Sequence, residues 1–268
     1  MTERVFLKLG GSLITDKRRL ETPRPEVIER AAQEIRAALD ERPDLQLVLG
    51  HGSGSFGHFY ADRFKVTEGN LEDWIGYCQT GAAAQRLNRL VTDAMLSAGV
   101  PVVSIQPSAS ATCQDGSLQE IAMEPIDQAL RHGLVPLVYG DVAWDTVRGC
   151  TIISTEQVFV RLARALCPAR IIEAGEVDGV HTGDPQRDAI VRRIPEITSQ
   201  NYDEVQEMLS TSFGVDVTGG MLTKVVSLYQ LVNEQPSLQV HIISGQRSGA
   251  IQRTLCDRDS GEGTLIRY

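Results

Sequence analysis

The apolar positions of this chain follow two rhythms that take turns. Short runs at Val5–Leu9, Leu45–Leu49, Leu134–Tyr139, Arg170–Ala174 and Gln239–Ile243 have the length of buried strands. Between them, apolar residues recur at helical spacing. Pro25–Leu39 does so through Val27, Ile28, Ala31, Ile35, Ala38 and Leu39. Phe59–Ala98, Ile126–Arg131, Glu156–Leu166 and the segment after Lys224 read the same way. Val100–Ile105 adds a strand, Val205–Leu209 a short helix, Asp145–Ile153 a small β excursion and Thr264–Tyr268 an edge strand. Strand, helix and strand at this spacing make βαβ units, so the expected class is α/β with a mainly parallel sheet.

Glycines mark the ends of several of these runs. Val5–Lys17 (VFLKLGGSLITDK) sets Lys8 inside an apolar strand, followed by Gly10, Gly11, Ser12 and then Lys17. A lysine in a buried strand must find an anionic partner or lose its charge. Two readings stand for this stretch alone: a tight turn with solvated lysines, or a cradle for a polyphosphate. The second strand runs into a glycine loop, Gly50-His51-Gly52-Ser53-Gly54-Ser55-Phe56-Gly57-His58. Ligands of open α/β sheets bind beyond the carboxyl ends of the strands, where both loops would lie. One would hold a donor phosphate and the other an acceptor, with His58 beside the acceptor. Leu134–Tyr139 ends in Gly140-Asp141, and Asp141 would orient a loop, help hold Mg²⁺ or cap a turn. A third signature, Asp216-Val217-Thr218-Gly219-Gly220-Met221, puts a helix N-terminus in front of Lys224. Phe59–Ala98 is expected to line an apolar substrate pocket, to form ordinary core or to present a dimer face.

Composition narrows the field. The net charge of -9 argues against a general nucleic-acid binder, which needs a basic face. Lysines number only four, Lys8, Lys17, Lys65 and Lys224, so lysines beside glycines stand out. Five cysteines without a CxxC pair suggest neither a disulfide framework nor a zinc site, and fit reduced thiols in the cytoplasm. Neither a signal-peptide pattern nor an apolar run of membrane-spanning length is present. There is no internal repeat or evident linker; two lobes, if present, would join near residue 170.

Taken together and in order, KLGGS at Lys8–Ser12, the loop through His58, Tyr139-Gly140-Asp141, Glu176–Val180 (EVDGV) and Asp216–Lys224 (DVTGGM..K) resemble the amino acid kinase superfamily. Within it, KLGGSLITDK with GSGSFGH is similar to the isopentenyl phosphate kinases. The resemblance implies a three-layer α/β/α sandwich, residues 1–170 on the acceptor side and 171–268 on the nucleotide side, and a cytoplasmic homodimer. It implies ATP and Mg²⁺ as cofactors and isopentenyl phosphate as the small-molecule partner. Lys8, Gly10, Gly11 and Ser12 would contact the ATP phosphates, and Lys17 would stabilise the phosphoryl group in transfer. Ser53, Gly54 and His58 would line the phosphate sites, with His58 on the acceptor and Gly140 near it. Asp178, Gly220 and Lys224 would serve the nucleotide. The family usually shows Ser-Gly-Asp where this chain has Ser154-Thr155-Glu156, which leaves that loop's role open. Two other readings remain: a fosfomycin-kinase-like enzyme for small phosphonates, and a non-catalytic nucleotide-binding sensor on the same fold.

Overall fold

The structure is a computed structural model that describes residues 2–183, 191–212 and 220–268. The first strand, β1 (Glu3–Leu9), runs into a one-turn helix, α1 (Gly11–Ile14), and then α2 (Pro25–Glu41). Pro25 opens α2, where a missing N–H costs nothing. Next come β2 (Leu45–His51), α3 (Gly54–Phe64) and α4 (Ile75–Ser97). The middle of the chain holds β3 (Val102–Ser104), β4 (Thr112–Gln114), β5 (Ser117–Glu120) and α5 (Glu124–Arg131). It continues through β6 (Val135–Tyr139), β7 (Asp141–Asp145), β8 (Gly149–Ile153) and α6 (Thr155–Leu166). The last part contributes β9 (Arg170–Gly175), β10 (Val180–His181), β11 (Arg193–Ile194), β12 (Glu196–Ile197) and α7 (Tyr202–Ser212). It ends with α8 (Met221–Glu234), β13 (Gln239–Ser244), α9 (Ala250–Cys256) and β14 (Thr264–Ile266).

An eight-stranded sheet in the order β12-β14-β13-β9-β1-β2-β6-β3 forms the middle layer. Every pairing from β13 across to β3 is parallel; only β13 with β14 is antiparallel. Side chains alternate across the sheet, which builds two cores. Val5, Leu7 and Leu9 pack with α2, α4 and α9, while Phe6 packs with α5, α6, α7 and α8. The result is the expected three-layer α/β/α sandwich. Because β1, β2, β6, β9 and β13 run the same way, Gly10, Gly52, Gly140 and Gly245 follow strand ends on one edge, and Gly175 closes β9 there.

Three local expectations change. The second glycine loop is short: β2 continues to His51 and α3 begins at Gly54, so His58 sits on a helix. Its glycines read as helix breakers, but burial of Phe56 and Ala61 draws the segment into helix. Asp141 opens β7, which pairs with β8 as a hairpin. β14 is not outermost, since β12 pairs along its far side. Nothing in two residues of β12 announces a strand.

Candidate functional site

The turn after β1 and the turn after β2 are built into each other. Gly52 N–H donates to Leu9 O at 3.0 Å, and Gly10 N–H donates to Ala174 O of β9 at 2.8 Å. Gly54 has φ +49, in the left-handed region. A Cβ there would strike Thr15 Oγ1 and lie 2.6 Å from Gly11 O, and a Cβ on Gly11 would lie 2.7 Å from Gly54 Cα. The two backbones touch because neither carries a side chain. Thr15 locks them, its hydroxyl donating to Gly11 O at 2.7 Å and accepting from Ser55 N–H at 2.9 Å. Gly54→Ala is therefore expected to cost about 1–3 kcal/mol. A thermal melt should show the midpoint several degrees lower, and a fully stable variant would contradict this close approach.

Beyond α1, residues 15–23 form a small hairpin: Thr15 bridges Pro23, and Asp16 N–H donates to Thr22 O at 2.9 Å. Lys17 is exposed at its turn. The base is fastened to α3 by Thr22 N–H donating to Ser55 Oγ at 3.1 Å. It is fastened to α4 by Arg86 Nε, 3.0 Å from Glu21 Oε2, and Tyr60 also hydrogen-bonds Glu21. Tyr60 lies two residues beyond the half-buried His58, so one carboxylate ties the Lys17 hairpin to the helix of His58.

Lys8 resolves the question posed by its strand. It is 4 % exposed. Its Nζ lies 2.8 Å from Glu156 Oε1 on α6 and 3.0 Å from Glu173 Oε2 on β9. Burial works against its charge, but the two carboxylates outweigh it and raise its pKa. Lys224, in the first turn of α8 behind the N-cap Gly220, is 3.4 Å from Glu173 and 3.7 Å from Glu156. Against burial, Lys8 and Lys224 hold the Glu156 carboxyl down at about 2. Ser154-Thr155-Glu156 thus has a structural account. Ser154 and Gln157 close a capping box, Thr155 Oγ1 donates to His51 O at 2.6 Å, and Glu156 faces both lysines.

The other named residues fall around this centre. Ser53 is the N-cap of α3; a Cβ on Gly140 would lie 3.7 Å from Ser53 N and 3.6 Å from Thr155 Oγ1. Ser12 lies half-buried in α1. Asp178 follows β9 on the same edge, exposed, with Oδ1 3.1 Å from His181 Nε2. Phe213–Gly219 lies outside the described residues, and with it the first part of the third signature. Asp141 orients a loop: it accepts from Ser108 N–H at 3.1 Å and from Val142 N–H at 2.9 Å, and burial raises its pKa. Among the described residues, no cluster of three or more His, Cys, Asp or Glu offers a metal cage. Glu156 and Glu173 are occupied by lysines, so Mg²⁺ fits this site only as part of a metal–nucleotide substrate.

Sequence reasoning did not single out Glu156 as a lysine partner, nor Glu173 or His51. An acid inside the apolar run RIIEA was the available signal for Glu173, of the same kind that flagged Lys8. His51 is fully buried, accepts from Asn88 Nδ2 at 3.1 Å and donates from Nδ1 to Gly52 O at 3.1 Å. That pattern follows from Asn88 Oδ1 accepting from Ser104 Oγ at 2.5 Å. Burial lowers the pKa of His51, and of buried His241, from 6.5 to about 4. The unfolded chain takes up these protons near pH 6.5 while the fold refuses them until about pH 4. Their contribution is fully present above pH 6.5 and is lost as pH falls through that window, on the order of 3 kcal/mol each. Denaturant titrations from neutral pH to about pH 4 should show this loss, and His241→Asn should flatten the slope.

The chain resembles known proteins along nearly its whole length. The profile of the Amino acid kinase family matches residues 3–244. An isopentenyl phosphate kinase of Methanothermobacter thermautotrophicus is 33% identical over 270 residues, covering 98% of both chains. One from Haloferax volcanii is 36% identical over 229 residues, covering 85% of this chain and 88% of the relative. A solved structure of an isopentenyl phosphate kinase superposes with a TM-score of 0.84 at 31% identity, over 98% of this chain and 100% of the other. The family profile and these nearly full-length matches show that the chain belongs to the amino acid kinase family.

Proposed function

We propose that this protein transfers the γ-phosphoryl group of ATP to isopentenyl phosphate, giving ADP and isopentenyl diphosphate. The observation that carries the reading is the end-to-end match to proteins named isopentenyl phosphate kinase. The site geometry supports it. An acceptor phosphate oxygen forms the new bond to the γ-phosphorus, and the bond from that phosphorus to the β-bridging oxygen breaks. The acceptor is already an anion, so no general base is required. Lys8, Lys224 and the N–H groups of Gly11 and Ser12 bind the ATP phosphates, with Gly10 turning the backbone beside them and Gly54 closing the turn. Lys17 meets the charge of the phosphoryl group in transfer. Ser53, His58 and Gly140 form the acceptor end, and Asp178 and Gly220 lie on the nucleotide side. Mg²⁺ enters with ATP and offsets phosphate charge. In this reading residues 1–170 chiefly serve the acceptor and 171–268 the nucleotide.

An apolar cluster supports a short hydrocarbon tail on the acceptor. Val66, Val142 and Cys150, with Phe64, Leu71, Tyr77 and Ile152 against them, lie where α3, α4 and the β7–β8 hairpin meet. Phe64 ends the helix that carries His58. A homodimer belongs to the same reading. A groove of about 460 Å³ lies between α2 and α4; Pro23, Pro25, Ile28, Leu90 and Ala94 line it together with Glu29, Gln33, Asp93 and Ser97, a mixed apolar and acidic face for a second copy. Light scattering that returns a monomer mass would reject the dimer. Among the described residues no helix is long and apolar enough to cross a membrane. A cytoplasmic location belongs to this reading through the family resemblance.

The deciding experiment measures ADP release with isopentenyl phosphate, fosfomycin, acetylglutamate or UMP as acceptor. Isopentenyl phosphate should give by far the highest kcat/KM. A preference for fosfomycin would overturn the acceptor assignment, and no turnover of any acceptor would favour the nucleotide sensor.

A further inference from the structure

We propose that Glu173 is a positioning residue, a buried counter-ion that holds Lys8 and Lys224 together beneath the nucleotide phosphates. The inference rests on the phosphoryl-transfer reading of the site. β9 pairs with β1 in a register that sets Glu173 beside Lys8. Both side chains therefore project to the same face of the sheet. One oxygen, Oε2, serves both lysines, at 3.0 Å from Lys8 Nζ and 3.4 Å from Lys224 Nζ. Glu173 thereby joins a central strand to the first turn of α8.

Its burial separates it from Glu156. The Glu156 side chain is 25% exposed and that of Glu173 only 2%. An incoming phosphate can displace Glu156 toward solvent; Glu173 has no such exit. It stays under the lysines while the anion above them changes. Charged groups face Lys8 from the neighbouring elements: Glu156 of α6, Glu173 of β9 and Lys224 of α8, while β2 sets Gly50 beside it.

Stability does not account for Glu173. Its other oxygen, Oε1, is buried and has no hydrogen-bond partner among the described residues. Leaving a buried acceptor unpaired is unfavourable, and a whole buried ion-pair group can often be replaced by apolar residues without loss of stability, although removing one carboxylate alone leaves the lysines short of a partner. On this face Phe6 and Ile171 are already core. What an apolar residue would not do is keep two neighbouring ammonium groups charged and close in a buried site.

Glu173→Gln and Glu173→Leu test the proposal. With only four lysines in the chain, each side-chain nitrogen or adjoining carbon can be followed by NMR through a pH titration. In either variant Lys8 is expected to lose its proton at least about one pH unit lower than in the wild type. Calorimetry should show ADP affinity falling as pH rises through that new value. Turnover of isopentenyl phosphate at neutral pH should drop about tenfold or more, and both variants should melt at a lower temperature, because two buried lysines are left with one carboxylate. An unchanged Lys8 titration with an unchanged pH profile of kcat would overturn the proposal. If neither variant folds, the wild type still decides: a Lys8 that titrates below about pH 10, the ordinary range for lysine, refutes a retained counter-ion. If wild type turns over no isopentenyl phosphate, yet Lys8 titration and ADP binding shift as stated, the acceptor assignment fails and the role of Glu173 stands.

Discussion

Lys17→Ala is expected to lower kcat by about 10²–10³-fold while changing the affinity for ATP by no more than about threefold. The reason is where the structure puts its two kinds of lysine. Lys8 and Lys224 are already paired with carboxylates and sit at strand β1 and the start of α8, where a resting nucleotide would place its phosphates. Lys17 is exposed on a hairpin over the same edge. A cation held there interacts most strongly with charge that appears during transfer, on the oxygens of the migrating phosphoryl group. Removing it takes away stabilisation of the transition state and leaves ground-state binding nearly intact. Steady-state kinetics with calorimetric ATP binding separates the two. A normal kcat, or a large loss of ATP affinity with kcat preserved, would reject the role. The hairpin is anchored through Glu21 to Arg86 and Tyr60, so Lys17→Arg should recover part of the rate.

His58→Ala is expected to raise KM for isopentenyl phosphate by about 30- to 100-fold and to leave ATP binding almost unchanged. His58 lies one turn into α3, on the helix that follows the turn in contact with Gly10 and Gly11. The residue is half-buried, and the same helix ends at Phe64, which packs against the apolar cluster of Val66, Val142 and Cys150. In the proposed reading a group on this helix would hold the acceptor phosphate, with the tail directed away from ATP. Competition binding with the acceptor alone, without nucleotide, gives a second readout. Equal KM in variant and wild type would remove His58 from the acceptor end.

Much of this is legible in the sequence alone. Glycine and apolar periodicity are local signals, and they placed the strands, their parallel sense and the turns on one edge of the sheet. Lys8 was legible as a problem, a charge inside a buried strand, but its solution was not. Glu156 and Glu173 are distant in sequence, and only the packing of α6 and the register of β9 bring them to Lys8. His58 was found by its glycine context yet assigned to a loop, because glycine propensity speaks against a helix that tertiary burial of Phe56 supports. The departure at Ser154–Glu156 carried little meaning in one dimension. In three it is a capping box that presents a longer acid to two lysines.

By itself, the amino-acid sequence determined the α/β class, the lysines and glycines available for phosphate chemistry, and their order along the chain. These follow from residue chemistry and near-neighbour spacing. Only the tertiary structure decided which charges meet, because ion pairs depend on distances of a few ångströms between remote segments. It also decided which side chains are dry enough for those charges to matter. For Val5–Lys17 this separated two lysines that look alike in sequence: Lys8 is buried and held by two carboxylates, and Lys17 stands exposed over the edge where the phosphates would bind.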